Sequence, residues 1–410
     1  MLAVAPELMR RSEQMEEIRR SETLQFVKPN VLAPLKIGAV NLKSPFALAP
    51  MAGMTDTAFR RLVKSRGGCG LVVTEMVSSE GLVRGIDRTL DYAEYTEEER
   101  PISIQIFGGN PGKMAAAAQV VERMGADIVD VNMGCPVRKI AKHQAGCSLM
   151  RSPAHAAAII GAMTSAVSIP VTVKMRSGWD DEHVNAPELA VLMEQAGAAA
   201  LAVHGRTAAQ SYKGRSDWCL IDEVARSVSI PVFGSGDCVT PADLVERLQA
   251  TAVSGVLVGR GALRNPWIFE QAWTLRHGDE VRPVSVRERG QFLLTYIELL
   301  LSEGRGERDG FRHVVGGAAL GPSRGRGASC ERWVLNKLRA LGSWYTKGID
   351  NGSRLRIRIN QAETLEELRT IIQEFFGVRD ESIGTAAAPV SAVSLEQNDT
   401  GAADRLSPES

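Results

Sequence analysis

Cys135 sits where a thiol could do chemistry. It closes an apolar run, Ile128–Met133, lies in Asn132-Met133-Gly134-Cys135-Pro136, and precedes a proline that fixes the chain direction. A thiol there can act as a nucleophile or as a proton donor. A lone cysteine is more often a small buried apolar group, and that reading suits the other five, at positions 69, 147, 219, 238 and 330. They form no CxxC pair and no regular spacing, so neither a zinc cluster nor a disulfide framework is expected, and free thiols in a reducing cytoplasm are the default. Lys174 and Arg176 stand at alternate positions of Val171-Thr-Val-Lys-Met-Arg, so both side chains point to one face of a strand. A lysine inside an apolar strand is costly unless paired or bound to an anion. It is either half of a structural ion pair or an electrophilic group for a cofactor or substrate. His204, followed by Gly205-Arg206-Thr207, is either a structural histidine or a phosphate or substrate ligand.

The elements that must hold these groups alternate regularly. Short apolar runs read as buried parallel strands: Phe46–Pro50, Leu71–Met76, Ile102–Phe107, Ile128–Met133, Val171–Met175, Leu201–His204, Val232–Ser235 and Gly255–Val258. Helical spacing follows most of them, over Asp56–Ser65, Gly112–Met124, Ala154–Ala166, Glu188–Gln195, Leu220–Ser227 and Ala242–Gln249. Asn110-Pro111, Ser152-Pro153, Thr240-Pro241 and Asn265-Pro266 read as helix starts, because proline suits the first helical position. Eight βα units match a closed (β/α)8 TIM barrel better than a doubly wound sheet. No GxGxxG follows a strand, and Gly112-Lys113-Met114 breaks any P-loop frame.

A barrel carries its active site at the C-terminal ends of its strands. Those ends read Ala49-Pro50-Met51-Ala52-Gly53, Thr74-Glu75-Met76, Gln105, Asn132 to Pro136, Lys174-Met175-Arg176, His204 to Thr207, Gly234-Ser235-Gly236-Asp237 and Gly259-Arg260-Gly261. Glycine turns after strands 7 and 8 are where barrels hold a phosphate, since backbone N–H groups can approach its oxygens, and Arg260 adds charge. The bland alternative is that these glycines serve tight turns.

The chain has 410 residues, 44% hydrophobic and 23% charged, with 48 Lys+Arg against 48 Asp+Glu. It can bury a sizeable core and is not basic throughout. The 39 glycines exceed the ~29 of average usage. No apolar run approaches the ~18 residues of a membrane span. The N-terminus is charged and is not expected to be a secretory signal. Residues 1–34 read as an extension, 35–280 as the barrel, 284–378 as a helical domain, and 379–410 as a disordered acidic tail. Within the helical domain, 286–302, 331–347 and 364–376 read as helices. The second carries Trp333, Trp344 and Tyr345, and the eight glycines of 304–330 suit a loop.

Together these residues resemble a tRNA-dihydrouridine synthase, over about residues 35–378. The most specific pieces are Ala49 to Asp56, Asn132 to Pro136 and Lys174-Met175-Arg176. His204 to Thr207, Gly259-Arg260-Gly261 and Asn360-Gln361-Ala362-Glu363 complete the match. The wording is most similar to the bacterial subtype B branch. The resemblance implies a flavin-binding barrel with FMN over its mouth, followed by a small helical tRNA-binding domain. Pro50, Met51 and Ala52 would line the flavin, and Gln105 and Lys174 would bond its ring. Ser235, Gly236, Asp237, Gly259 and Arg260 would hold the ribityl phosphate end, with His204 nearby, and Asn132 and Arg176 would contact the uracil. The implied reaction reduces a uridine of the tRNA D-loop to 5,6-dihydrouridine. NADPH (or NADH) reduces FMN, a hydride reaches C6, and Cys135 gives a proton to C5. Two departures stand out: the family has Asn-Gly-Asp where Ser235-Gly236-Asp237 stands, and 304–330 interrupts a region that is helical in the family. The resemblance carries with it a cytoplasmic protein without membrane or metal, and a monomer is the expectation.

Two other readings stay open on the sequence. One is a dihydroorotate-dehydrogenase-like flavin barrel acting on a free pyrimidine, and the other is a tRNA-binding protein without a redox role. The basic surplus favours RNA: residues 305–358 hold 12 Lys+Arg against four Asp+Glu. Arg354, Arg356 and Arg358 alternate there, with Phe311 and the tryptophans interspersed, and phosphate contact is expected of the arginines.

Overall fold

The protein, described from a computed structural model, is defined over residues 35–141, 144–305, 312–313 and 327–378. The expected extension 1–34, the expected tail 379–410, Phe311 and most of 304–330 lie outside the described residues.

Eight parallel strands close a barrel: β1 (Phe46–Leu48), β2 (Leu71–Val73), β3 (Ile102–Phe107), β4 (Ile128–Met133), β5 (Val171–Arg176), β6 (Ala200–His204), β7 (Val232–Ser235) and β8 (Gly255–Val258). Each pairs with the next, and β8 returns to β1 with Val256 opposite Phe46. The ladders of β1 and β2 stop two and three residues short of the expected ends. Ala49 still donates to the Val258 carbonyl, but Pro50 has no N–H, and Met51 O then accepts from Met54 and Thr55 to turn the chain.

The crossover helices wrap the outside: α1 (Thr57–Arg66), α2 (Pro111–Arg123), α3 (Pro153–Thr164), α4 (Ala186–Gln195), α5 (Trp218–Ser227) and α6 (Pro241–Ala250), then α7 (Arg260–Arg264) and α8 (Ile268–Arg276). Asn110 caps α2 through the Lys113 amide, and Thr240 forms a reciprocal capping pair with Asp243 on α6. Ser152 caps α3 by position only. Asn265-Pro266 corrects the expectation of a helix start: Asn265 ends α7, and α8 begins only at Ile268.

Four helices follow the barrel: α9 (Val286–Arg305), α10 (Gly327–Tyr345), α11 (Gly352–Gln361) and α12 (Leu365–Phe376). The sequence pattern misses α11. Only Gly352, Leu355 and Ile359 of it are buried, a stripe too thin to read, and packing against α10 and α12 decides its fold. In a helix Arg354 and Arg358 share a flank while Arg356 turns about 160° away, so the three arginines form no single row. All three are exposed, and Arg358 pairs with Glu374 at 2.7 Å.

Two apolar cores result. A small one fills the lower barrel with Ala47, Leu71, Ile128, Ala200, Phe233 and Leu257, plugged by Ile37 and Leu42 of a hairpin that precedes β1. The larger one lies between strands and helices and runs without a break into α9, α10, α11 and α12. Phe59 of α1 meets Phe292 and Tyr296 of α9 edge-on at 6.3 and 6.2 Å. The upper barrel is polar: Ser103, Gln105, Asp130, Asn132, Thr172, Lys174, Arg176 and His204 occupy alternate positions of β3 to β6.

Candidate active site

Register assembles the site. Asn132 lies opposite Lys174, Arg176 opposite His204, and His204 opposite Ser235. Residues from four segments of the chain thus meet at one rim.

At the bottom of this polar half, Asp130 is buried and accepts from Thr172 Oγ1 at 2.6 Å and Gln105 Nε2 at 2.7 Å. Burial pushes its carboxyl above the usual range, against those two bonds and the Lys174 charge. Asn132 Nδ2 donates to Gln105 Oε1 at 2.8 Å, and Asn132 Oδ1 accepts the Gly134 and Cys135 amides at 3.1 and 2.9 Å. The remaining Nδ2 proton has only Met76 Sδ at 3.8 Å. Asn132 therefore shapes the turn that carries Cys135.

Cys135 is half-buried. Burial raises its thiol above the ordinary value, opposed by the Val137 amide and the Arg176 charge. It is protonated at neutral pH, which suits a proton donor and not a thiolate nucleophile. Arg176 is buried and braces this turn: Nε donates to Gly134 O at 2.7 Å, and Nη1 to Thr207 O and Ser211 O at 3.0 and 2.9 Å. Its Nη2 makes no hydrogen bond among the described residues.

Lys174 makes no side-chain hydrogen bond among the described residues either. Burial, then the neighbouring Arg176, lower its pKa to about 8, with Asp130 opposing. Among the described residues no ion pair of Lys174 explains its place. It borders a narrow cavity with about 30 Å³ of free space, shared with Pro50, Ser103, Asp130 and Thr172.

His204 is held neutral. Burial, followed by Lys174, Arg176, Arg206 and Arg260, lowers its pKa to about 2. Arg206 Nη1 faces its Nε2 at 3.3 Å. Since a guanidinium only donates, Nε2 accepts and Nδ1 carries the proton. Arg206, 2% exposed, also donates to Lys213 O, to Gly214 O and to both oxygens of Asp237 at 2.8 Å. Burial raises the Asp237 carboxyl, but the Ser216 amide and Arg206 outweigh it and hold it below the usual range.

The turn after β7 requires glycine, and the turn after β8 is tight. Gly236 has φ +125°, and an added Cβ would lie 2.2 Å from Ser216 Oγ. At Gly259 it would lie 3.3 Å from Met51 Sδ, so the β1 loop closes against the β8 turn. Ser235 is buried, and its carbonyl takes the Ser216 hydroxyl at 3.1 Å. Arg260 is 40% exposed, and its nearest carboxylate is Asp237 at 3.7 Å.

Residues 47–319 match the family profile described as dihydrouridine synthase (Dus). The chain is 37% identical over 344 residues to a probable tRNA-dihydrouridine synthase of Rickettsia conorii, covering 83% of this chain and 96% of that one. It is 36% identical over 355 residues to tRNA-dihydrouridine synthase B of Pseudomonas putida, covering 86% and 98%. The chain belongs to the dihydrouridine synthase family. It is thus an oxidoreductase, and within the family it resembles the B branch. Among solved structures, morphinone reductase aligns with a TM-score of 0.44 at 14% identity, over 63% of this chain and 92% of that one.

Sequence reading missed several residues of this dihydrouridine synthase rim. Tyr212, 60% exposed, has the guanidinium groups of Arg260 and Arg176 at 5.0 and 5.9 Å from its ring centre. The pattern Arg-Thr-Ala-Ala-Gln-Ser-Tyr carried no signal for it. Lys337 was also missed, because it comes from α10, and Glu75 and Asp56 were read only as parts of a strand end and a family segment, with no role assigned. Arg354, Arg356 and Arg358 are not part of the barrel mouth. Among the described residues no helix is long and apolar enough to cross a membrane, and no cluster could hold a metal ion.

Proposed function

We propose that the protein reduces uridine in tRNA to 5,6-dihydrouridine, using FMN recharged by NADPH or NADH, with Cys135 delivering the proton to C5. The observation that carries this reading is the geometry of the turn after β4, where Asn132 and Arg176 hold the chain that presents the Cys135 thiol. The residues present fit FMN. Gly236 leaves no room for a Cβ, and at Gly259 a Cβ would press on Met51 Sδ; Arg260 is 40% exposed with Asp237 as its 3.7 Å partner, and Lys174 lies at the rim with no hydrogen-bond partner among the described residues. Pro50, Met51 and Ala52 would line the ring. Gln105, through its free N–H, and Lys174 would bond it. Ser235, Gly236, Asp237, Gly259, Arg260 and the Nδ1 proton of His204 would take the ribityl phosphate end. Bound FMN supplies the hydride, which goes to C6.

The chain's own part is proton and charge management. With hydride on C6, the electron pair at C5 takes the Cys135 proton, and the thiolate left behind is stabilised by the nearby Arg176 charge. Lys174 offsets negative charge at the rim, and a bound anion there restores its proton affinity toward the ordinary lysine value. Arg176 Nη2 and the Met76-facing N–H of Asn132 are the groups open to the base.

Absorbance of the purified protein and nucleoside analysis of tRNA from a strain lacking it test this reading. A colourless protein, or unchanged dihydrouridine, overturns it. In an Arg260→Ala variant, FMN should bind about tenfold more weakly, the loss of one charge-assisted contact. Equilibrium dialysis with FMN checks this, and unchanged affinity removes Arg260 from the phosphate end.

For tRNA we assign the basic stretch 305–358, with Arg354, Arg356 and Arg358 as phosphate contacts. Replacing all three with Ala should flatten the log–log salt slope of tRNA binding by about 2, at ~0.7–0.9 per contact, while NADPH still reduces the flavin. A folded variant with the wild-type slope would move the docking surface elsewhere.

A further inference from the structure

The loop Pro50–Gly53 is surface chain: Ala52 and Gly53 are exposed. Yet the two peptide groups that flank the Gly53 Cα are each held by a charged group that is almost wholly buried. The Gly53 N–H donates to Glu75 Oε2 at 2.5 Å, and Glu75 is 5% exposed. The Gly53 carbonyl accepts from Lys337 Nζ at 2.6 Å. The same ammonium lies 2.7 Å from Asp56 Oδ2, and the Lys337 side chain is 10% exposed. Asp56 in turn accepts from Tyr296 Oη at 2.8 Å and caps α1 through the Phe59 amide.

These contacts join three parts of the molecule. Gly53 and Asp56 flank the turn after β1, Glu75 lies two residues beyond β2, and Lys337 and Tyr296 come from α10 and α9. Burying this lysine and two carboxylates is a poor way to gain stability, because desolvation offsets most of the Coulomb attraction. What such a cluster does well is fix one geometry among several. Gly53 has φ +78° and no side chain to wedge it, so beyond the Met54 and Thr55 amides on Met51 O the turn depends on these two grips for its shape. The turn it belongs to is the one that meets Gly259 through Met51.

We propose that Lys337 is a positioning residue that locks the Pro50–Gly53 loop to the helical domain, so that the loop takes its ring-facing shape only when α10 is docked. The inference rests on the functional reading above for what the loop faces. Lys337 touches neither base nor flavin. It acts through the Gly53 carbonyl and Asp56, and it couples whatever grips the helical domain to the wall of the site.

The test uses the full-length, flavin-loaded protein and two variants, Lys337→Met and Lys337→Arg. The amides of Met51, Gly53, Met54 and Thr55 are all hydrogen-bonded within the turn or to Glu75. In the methionine variant they should exchange with solvent about tenfold faster or more, while amides of β4, β5 and α10 keep wild-type rates. The visible flavin band should shift, and reoxidation of reduced enzyme by saturating tRNA should slow about tenfold or more, with tRNA affinity unchanged. The arginine variant, which keeps charge and donors, should recover most of each effect. Wild-type exchange at these four amides in a folded methionine variant overturns the proposal. So does faster exchange spread over α10, which would make Lys337 a prop for the domain alone. A wild-type protein without flavin would refute the functional reading, and the exchange result would still decide the lock.

Discussion

A Cys135→Ala variant should bind FMN, accept electrons from NADPH, and form dihydrouridine on tRNA about 10²–10⁴-fold more slowly than wild type, the usual share of a general acid. The thiol is placed for proton delivery by the Asn132 carbonyl and by Arg176, and neither bond involves sulfur. Removing the sulfur therefore leaves the turn standing. Stopped-flow absorbance separates the two half-reactions. Slow flavin reduction would assign the thiol to the wrong step, and full activity would make it structural.

An Arg206→Met variant should lose about 3 kcal/mol of stability, near the lower end for breaking a buried charge pair, because Asp237 keeps partial contact with water. Methionine fills the space but leaves Lys213 O, Gly214 O and the Asp237 carboxylate without their donor. The deficit should depend on pH. Asp237 titrates below its ordinary value in the folded protein, so its contribution is complete above the usual carboxylate range and fades as pH falls through the folded value. Urea midpoints of wild type and variant should therefore converge in acid. A constant gap between them would show that Asp237 contributes nothing through Arg206.

The barrel was legible because its strands are short, mostly apolar runs at regular spacing, and because helical spacing of apolar residues follows most of them. The rim residues Lys174, Arg176 and His204 were legible for the opposite reason, as polar groups that strand alternation turns toward the interior, and Cys135 because it follows a strand end and precedes a proline. What stayed hidden was relational. Nothing in Gly53 or Asp56 announces Lys337, which lies 284 residues beyond Gly53 and meets it only through tertiary packing. Arg206 was read only as part of the segment His204 to Thr207, and its bonds to Lys213, Gly214, Asp237 and His204 appear only in the fold. The alternating arginines of α11 suggested one row, and a helix divides them between two flanks.

The pairing of Val256 with Phe46 sets an order on synthesis. At ~5–20 residues per second, β1 leaves the ribosome on the order of tens of seconds before β8 exists to cover its free edge. For that interval Phe46-Ala47-Leu48 offers an apolar, unpaired strand to any neighbour, and the hairpin that precedes β1 has no closed barrel to plug. Premature termination anywhere before residue 258 would leave the same edge open for good, so truncated products of this chain should be found in aggregates and with chaperones rather than in solution.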